Sequence, residues 1–347
     1  MTYFKRVAAL TPTGFWINNV TRKQAEMAIA EGAVACTQNP AYLSKVLRSA
    51  DDGEYLTGIA DELVQVIEDD NEVVAELQRR AIAGICEKFL PVYEATGGRL
   101  GFVSLQADPF NENKVTILDN AEKCLALARN FIIKIPATKD GIEAMGELFK
   151  QGVAVLATEV MSIDQVLDVC ELHKRITGGM KNPAPLWIAH INGIFDEQMI
   201  ADVKESNIDI DPDILRQESL VLARKIRSYI RERGYDVHYL AGGARNLQHF
   251  TDWVGVDGAV TINWKGTADQ LIEADGPVTD VFNVPSSYAV IDELLAKLPG
   301  FRKAWTPGSL TPEEYEEFSP VVRFRNSFEK GWLEARTIVA ERRALKA

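Results

Sequence analysis

The sequence contains few of the residues that build metal centres and disulfide frameworks. Among its 347 residues there are only four cysteines and four histidines, and no two cysteines stand in a C-x-x-C spacing. Neither a zinc site nor a set of disulfides is therefore expected, and the thiols are predicted to be reduced and mostly buried. The cysteines are Cys36, Cys86, Cys124 and Cys170.

Basic charge and long apolar runs are also scarce. The chain has 38 Lys and Arg against 50 Asp and Glu, a formal net charge of -12, so no basic stripe suggests a nucleic-acid partner. No stretch approaches the roughly 18 apolar residues of a membrane span. The residues before Thr11 are too few for a signal peptide. We therefore expect a cytoplasmic protein without a nucleic-acid or membrane partner.

Short β-like runs alternate with helical segments along most of the chain. Eight such βα units predict a parallel sheet that closes into a (β/α)₈ barrel. An open doubly wound sheet is the alternative, but no G-x-G-x-x-G follows the first strand. The predicted strands are 15–19, 33–37, 100–105, 131–135, 153–157, 186–191, 237–241 and 259–262, and early helices are predicted at 21–32, 54–68 and 72–95. We expect a single barrel domain over residues 1–347, in which residues 310–347 form a charged, helical C-terminal arm.

Lys134 stands inside an apolar, β-branched run, Phe131 to Ile135. An ammonium group is costly to bury without a partner or a function. Partial burial favours the neutral amine, which can attack a carbonyl and form a Schiff base. Lys134 is therefore a candidate nucleophile. The alternative is a lysine at a strand end whose ammonium group reaches water.

Polar side chains follow most of the predicted strands. Because strand carboxyl ends carry the chemistry of such barrels, these residues form one candidate constellation. Many neutral hydrogen-bonding groups around one lysine suit a polyhydroxylated substrate and favour sugar chemistry, although any one amide could serve only in a turn or cap. The residues are Asn18, Thr37, Gln38, Asn39, Gln106, Lys134, Thr158, His190, Asn192, Arg245 and Asn263.

Several motifs resemble the transaldolase family over nearly the whole chain. The motifs are Ile133-Lys134-Ile135-Pro136-Ala137-Thr138-Lys139-Asp140-Gly141-Ile142-Glu143-Ala144, Thr37-Gln38-Asn39-Pro40, Val103-Ser104-Leu105-Gln106, Gly152 to Ser162, Ala244-Arg245-Asn246 and Leu310 to Tyr315. The resemblance implies a barrel in which Lys134 forms an imine with a ketose, cleaves a C–C bond and passes a three-carbon unit to an aldehyde. It implies carbohydrate metabolism, pentose phosphate chemistry included, and no metal or organic cofactor.

The chain departs from the family pattern at several functional positions. Asn18 stands where the family has an acid/base aspartate, and Gln106 stands where it has a glutamate that activates water. An amide cannot carry those protons. Gly193-Ile194 lacks a phosphate-binding arginine, and Gly243 replaces a serine, although Arg245 remains. We therefore expect a weak or altered phosphate site and an atypical sugar substrate.

Three functions remain open from the sequence. The first, which we favour, is an active Schiff-base enzyme in which His190 or Glu159 replaces the aspartate. The others are a catalytically weak paralogue that binds a sugar or aldehyde, and an imine-forming enzyme of another reaction class. The expected roles are catalysis for Lys134, Asn18, Gln106, Thr158 and His190, and substrate binding for Asn39, Thr37, Asn192, Arg245 and Lys265. The expected partner is a small sugar or sugar phosphate, and a homodimer is compatible with the sequence.

Overall fold

Eight strands form a closed barrel in chain order in this computed structural model, which describes residues 1–346. Neighbouring strands run parallel wherever their register is defined. The strands are β1 (Thr13–Asn18), β2 (Ala35–Thr37), β3 (Val103–Gln106), β4 (Phe131–Pro136), β5 (Val155–Val160), β6 (Leu186–His190), β7 (His238–Ala241) and β8 (Gly258–Asn263). The predicted (β/α)₈ barrel is therefore confirmed.

Helices separate the strands and follow the last one. Their bounds are α1 (Tyr3–Leu10), α2 (Arg22–Ala30), α3 (Tyr42–Val46), α4 (Gly53–Leu63), α5 (Asp70–Ala95), α6 (Lys114–Leu127), α7 (Lys139–Lys150), α8 (Ile163–Thr177), α9 (Asn192–Glu205), α10 (Pro212–Leu215), α11 (Glu218–Glu232), α12 (Gln248–Thr251), α13 (Asp269–Ala274), α14 (Tyr288–Lys297), α15 (Pro299–Trp305) and α16 (Ser319–Ala344). An irregular helical segment (Trp264–Ala268) follows β8, and a 3₁₀ helix (Pro312–Glu317) precedes α16. No helix among the described residues is both long and apolar enough to cross a bilayer.

The chain divides into two compact units. The first, here called the histidine unit, comprises Met1–Phe15 and Ile135–Phe324. The second, the lysine unit, comprises Trp16–Lys134 and Arg325–Ala347. Ala347, which also ends the predicted C-terminal arm, lies outside the described residues. The single-domain assignment stays a prediction.

In the lysine unit, the end of α16 is fixed to α4 and α5 by two arginines. Arg342 donates to both carboxylate oxygens of Asp61, at 2.7 and 2.6 Å. Arg343 donates to Asp70 at 2.8 Å and to two backbone carbonyls. Bidentate arginine–carboxylate pairs fix orientation as well as distance. The predicted arm thus contains a 3₁₀ helix and α16, and the end of α16 is docked within the lysine unit.

In the histidine unit, α1 was not predicted from the sequence. Its Phe4 stacks on Phe15 at a centroid distance of 4.0 Å and meets Phe250 edge to face at 5.0 Å. Phe4, Phe15 and Phe250 are almost completely buried. Aromatic burial of this kind supplies several kcal/mol. It explains how eight residues before the first strand become an ordered helix.

Most predicted boundaries lie within a few residues of the observed ones. Thr21 caps α2 with a capping box to Gln24, as a helix start at residue 21 predicts. The third strand begins at 103 rather than 100, because Gly101 has a φ of 81° and donates its N–H to Val34. The four cysteines carry unbridged, buried thiols, as expected.

Candidate active site

The lysine unit brings four predicted residues to the carboxyl ends of neighbouring strands. Lys134 on β4 is the register partner of Gln106 on β3, and Asn18 on β1 is the partner of Thr37 on β2. Register partners in a parallel sheet project from the same face. Lys134 is only 6% exposed and Gln106 is fully buried. An amine is thus held beside amide and hydroxyl groups in a largely dry environment.

Hydrogen bonds fix the polar groups of β1 and β2. The Thr37 hydroxyl donates to Asn18 Oδ1 at 2.8 Å, which sets the orientation of that amide. Asn19, in the left-handed region at a φ of 48°, accepts the backbone N–H of Asn39 at 3.2 Å. The N–H of Gln38 is received by Ser104 Oγ at 3.1 Å. Asn18 and Thr37 are thus joined side chain to side chain, and the backbone of Asn39 is joined to the side chain of Asn19.

Phe328 covers the amine of Lys134. The ammonium nitrogen lies 5.2 Å from the centroid of the Phe328 ring, within the range of a cation–π contact. Phe328 belongs to α16 and is 1% exposed. The sequence placed it on an apolar helix face but gave no indication of this contact, because the two residues lie almost 200 positions apart.

A carboxylate that sequence analysis missed reaches the end of β3. Glu112 Oε1 accepts a hydrogen bond of 2.5 Å from Gln106 Nε2. The intervening loop is braced by Asp108, which accepts the N–H of Phe110 at 2.9 Å and the amide of Asn71 at 2.7 Å. An acidic residue just after a barrel strand was the available signal, although its reach depends on this loop.

A bulge in β5 shapes the corresponding edge of the histidine unit. The register of β5 with β6 shifts between Ala157 and Val160, and Glu159 has a φ of 57°. The Gln165 amide donates to the carbonyls of Ala137 and Glu159, both at 2.9 Å, and accepts the Met161 N–H at 2.8 Å. Left-handed backbone at a non-glycine residue costs about 1–3 kcal/mol. Such bulges re-aim side chains beside active sites.

His190 lies fully buried at the end of β6. Its Nδ1 is 3.1 Å from the Tyr239 hydroxyl, and that hydroxyl also accepts Trp253 Nε1–H at 3.4 Å. Which of the two groups donates in the His190–Tyr239 contact depends on the tautomer of the imidazole. Burial lowers the pKa of His190 to about 3, so the ring is neutral at physiological pH.

Buried polar atoms without a hydrogen-bond partner in the described chain cluster at the ends of β5 and β6. They are Thr158 Oγ1, His190 Nε2, and both amide atoms of Asn192. All three residues are at most 1% exposed. Because buried polar groups in native proteins are almost always paired, such atoms mark a face that takes a polar ligand or water. The sequence had predicted each of these residues.

Arg245 extends from the loop after β7 and is held by its neighbours. Its Nε donates to Glu197 Oε1 at 2.7 Å. Its backbone N–H donates to His249 Nδ1 at 3.0 Å, and His249 Nε2 donates to Asp196 at 2.7 Å. The predicted anion-binding arginine is thus already paired with one carboxylate. Lys265 is exposed in the irregular segment after β8, where Asn263 is half-buried.

Comparisons with known proteins identify a family for most of the chain. Residues 15–297 match the family described as Transaldolase/Fructose-6-phosphate aldolase. Transaldolase 1 of Streptomyces avermitilis is 29% identical over 167 residues, which cover 46% of this chain and 43% of that protein. The transaldolase of Neisseria meningitidis serogroup C is 30% identical over 220 residues, covering 56% and 60%. That of Neisseria gonorrhoeae is 29% identical over 246 residues, covering 65% of each chain. The chain therefore spans less than two thirds of the length of these curated relatives.

Proposed function

The chain belongs to the transaldolase/fructose-6-phosphate aldolase family, and we propose that it is a Schiff-base enzyme that cleaves or transfers a three-carbon ketol unit of a sugar. The observation that carries the proposal is the position of Lys134. The residue is 6% exposed and has Gln106 as its register neighbour, and its amine lies under the Phe328 ring. These are conditions under which a lysine acts as a nucleophile.

The proposed reaction uses the imine as its electron sink. The Lys134 amine adds to the ketose carbonyl, water leaves, and the resulting iminium accepts the electron pair when the adjacent C–C bond breaks. Asn18, Thr37 and Asn39 supply fixed amide and hydroxyl groups that suit the hydroxyls of a sugar. Phe328 limits the access of water to the covalent intermediate.

We also propose that the best substrate is a sugar without a terminal phosphate, or with a different substituent. A phosphate clamp is strongest with two bidentate arginines. Here Glu197 already pairs with Arg245, and position 194 is a buried isoleucine. The predicted roles of Thr158, His190, Asn192 and Lys265 in the same reaction stay predictions from the sequence.

Covalent trapping tests this function directly. The full chain is incubated with borohydride and a panel of ketoses, ketose phosphates and dihydroxyacetone, and the modified peptide is identified by mass spectrometry. We expect an adduct on Lys134, none in K134A, and an unchanged adduct in K139A, since Lys139 is an exposed neighbour in the same motif.

The outcomes separate the alternatives. An adduct on another lysine, or full activity of K134A, refutes the proposed enzyme. An adduct on Lys134 without release of an aldehyde product identifies a sugar-binding paralogue instead. Better kinetics with fructose 6-phosphate than with fructose would refute the substrate preference alone.

A further inference from the structure

Glu112 places a carboxylate one amide group away from the proposed nucleophile. Its Oε1 is 2.5 Å from Gln106 Nε2, and Gln106 is the register partner of Lys134. Adjacent strands lie about 4.8 Å apart, so the two side chains leave neighbouring backbone positions on the same face. Glu112 itself is half-buried. The Glu112 carboxylate therefore contacts the Gln106 side chain at the end of β3 from the loop that follows this strand.

The loop that carries Glu112 is anchored at several points. Asp108 accepts hydrogen bonds from Phe110 N–H at 2.9 Å and from Asn71 Nδ2 at 2.7 Å. The Asn71 Oδ1 atom in turn accepts the indole N–H of Trp332 on α16 at 2.7 Å. Asn71, Asp108 and Trp332 belong to three different segments of the lysine unit. The loop that carries Glu112 is thus anchored by part-buried contacts.

The predicted polar residues that accompany Lys134 at strand ends of the lysine unit cannot exchange protons near neutral pH. Asn18 and Gln106 end in amides and Thr37 ends in a hydroxyl, none of which titrates in that range. Imine formation nevertheless requires that the ammonium lose a proton and that the departing hydroxyl gain one. A positioned acid–base group contributes about 10²- to 10⁴-fold to such a step. A carboxylate can accept the first proton and, as the carboxylic acid, donate the second.

We infer that Glu112 is the acid–base residue for imine formation and hydrolysis at Lys134, a role that rests on the proposed function. The Glu112 carboxylate takes a proton from the Lys134 ammonium, and the neutral amine then adds to the carbonyl carbon. One amine proton moves to the former carbonyl oxygen as the carbinolamine forms. Protonated Glu112 returns its proton to that hydroxyl, which leaves as water while the nitrogen lone pair forms the C=N bond. The net change is ammonium plus carbonyl to iminium plus water.

The amide of Gln106 orients the carboxylate in this scheme. Its Nε2 donates a hydrogen bond to one oxygen of Glu112, and this bond fixes the orientation of the carboxylate at the strand end. His190 is less suited to the same work, because burial lowers its pKa to about 3. A base that weak gains little from proton transfer at neutral pH.

The experiment measures imine formation apart from C–C cleavage. Wild-type protein, E112Q, E112A, E112D and the matched control E122Q are incubated with dihydroxyacetone and cyanoborohydride between pH 4 and 9. The rate of adduct formation on Lys134 is followed by mass spectrometry. Glu122 is exposed on α6, the helix that follows the same loop, so E122Q has no contact with the strand end. Far-ultraviolet circular dichroism verifies the fold of each variant.

We expect E112Q and E112A to slow adduct formation by about 10²-fold or more and to lose the acidic limb of the pH–rate profile. E112D should recover part of the rate, and E122Q should match the wild type. If E112Q forms the adduct at the wild-type rate, or keeps the acidic limb, the role of Glu112 is refuted. If the wild type forms no adduct at all, the proposed function is refuted and this role with it.

Discussion

Substitution of Glu218 should raise stability at neutral and alkaline pH. Glu218 begins α11, is fully buried, and has no hydrogen-bond partner for either carboxylate oxygen within the described residues. Desolvation, and secondarily the negative charge of Asp196, raise its pKa well above the usual range. The folded protein therefore keeps a proton on Glu218 that the unfolded chain releases.

The size of the effect follows from proton linkage. Above the unfolded pKa of about 4.3, the native state binds one proton more than the unfolded state, so stability falls by about 1.4 kcal/mol per pH unit until the folded pKa is passed. The contribution of the Glu218 proton to the free energy of unfolding is complete below pH 4 and is lost as the pH rises. E218Q removes this slope. Relative to the wild type, E218Q should therefore become more stable as the pH rises above about 4.3.

Urea unfolding followed by tryptophan fluorescence at five pH values measures this difference. E232Q, an exposed change at the other end of α11, serves as the matched control and should follow the wild-type curve. E218M tests the same point without introducing a buried amide. If both Glu218 variants give stability curves parallel to the wild type, the carboxyl ionises in the folded state and the reasoning is wrong.

Two other changes test particular contacts. H249L removes the acceptor of the Arg245 N–H. If the lost hydrogen bond contributes about 1.4 kcal/mol to positioning Arg245, H249L should raise the KM for a phosphorylated ketose tenfold with little change in kcat. Q248L, at an exposed position, is the control and should have no effect. An unchanged KM in H249L would contradict the positioning role of His249. W332F replaces the indole with a smaller phenyl ring and removes the donor to Asn71, so it should lower the free energy of unfolding by at least about 1–2 kcal/mol, measured in urea. Equal midpoints for W332F and wild type would show that this hydrogen bond contributes nothing.

Local sequence patterns were sufficient to predict the strands and the lysine. Eight apolar runs separated by helical segments predict a parallel sheet buried on both faces, and their number favours closure into a barrel. Asn18, Thr37 and Gln106 follow from the rule that barrel chemistry lies at strand carboxyl ends. Their hydrogen bonds and register confirm that Asn18 lies beside Thr37 and that Gln106 lies beside Lys134.

Contacts between distant segments could not be predicted in this way. Phe328 reaches Lys134 only through the docking of α16, which periodicity does not encode. In the sequence, Glu112 is only one acidic residue in a polar loop. The direction of its side chain depends on the turn that Asp108 organises, and the sequence does not show that turn. The bulge at Glu159 likewise depends on the Gln165 side chain, and helical glutamines are commonplace.

The Gln165 amide makes two strand exits interdependent. One side chain supports the backbone after β4 at Ala137 and the bulge of β5 at Glu159. A glutamate at position 165 would replace the amide that donates to these two carbonyl oxygens with a negatively charged carboxylate, which would repel them. Random mutagenesis aimed at new substrates should therefore recover few active variants with substitutions at position 165, even though Gln165 has no assigned catalytic role. Libraries that vary residues 158 to 161 should hold Gln165 constant, because the conformation being varied depends on it.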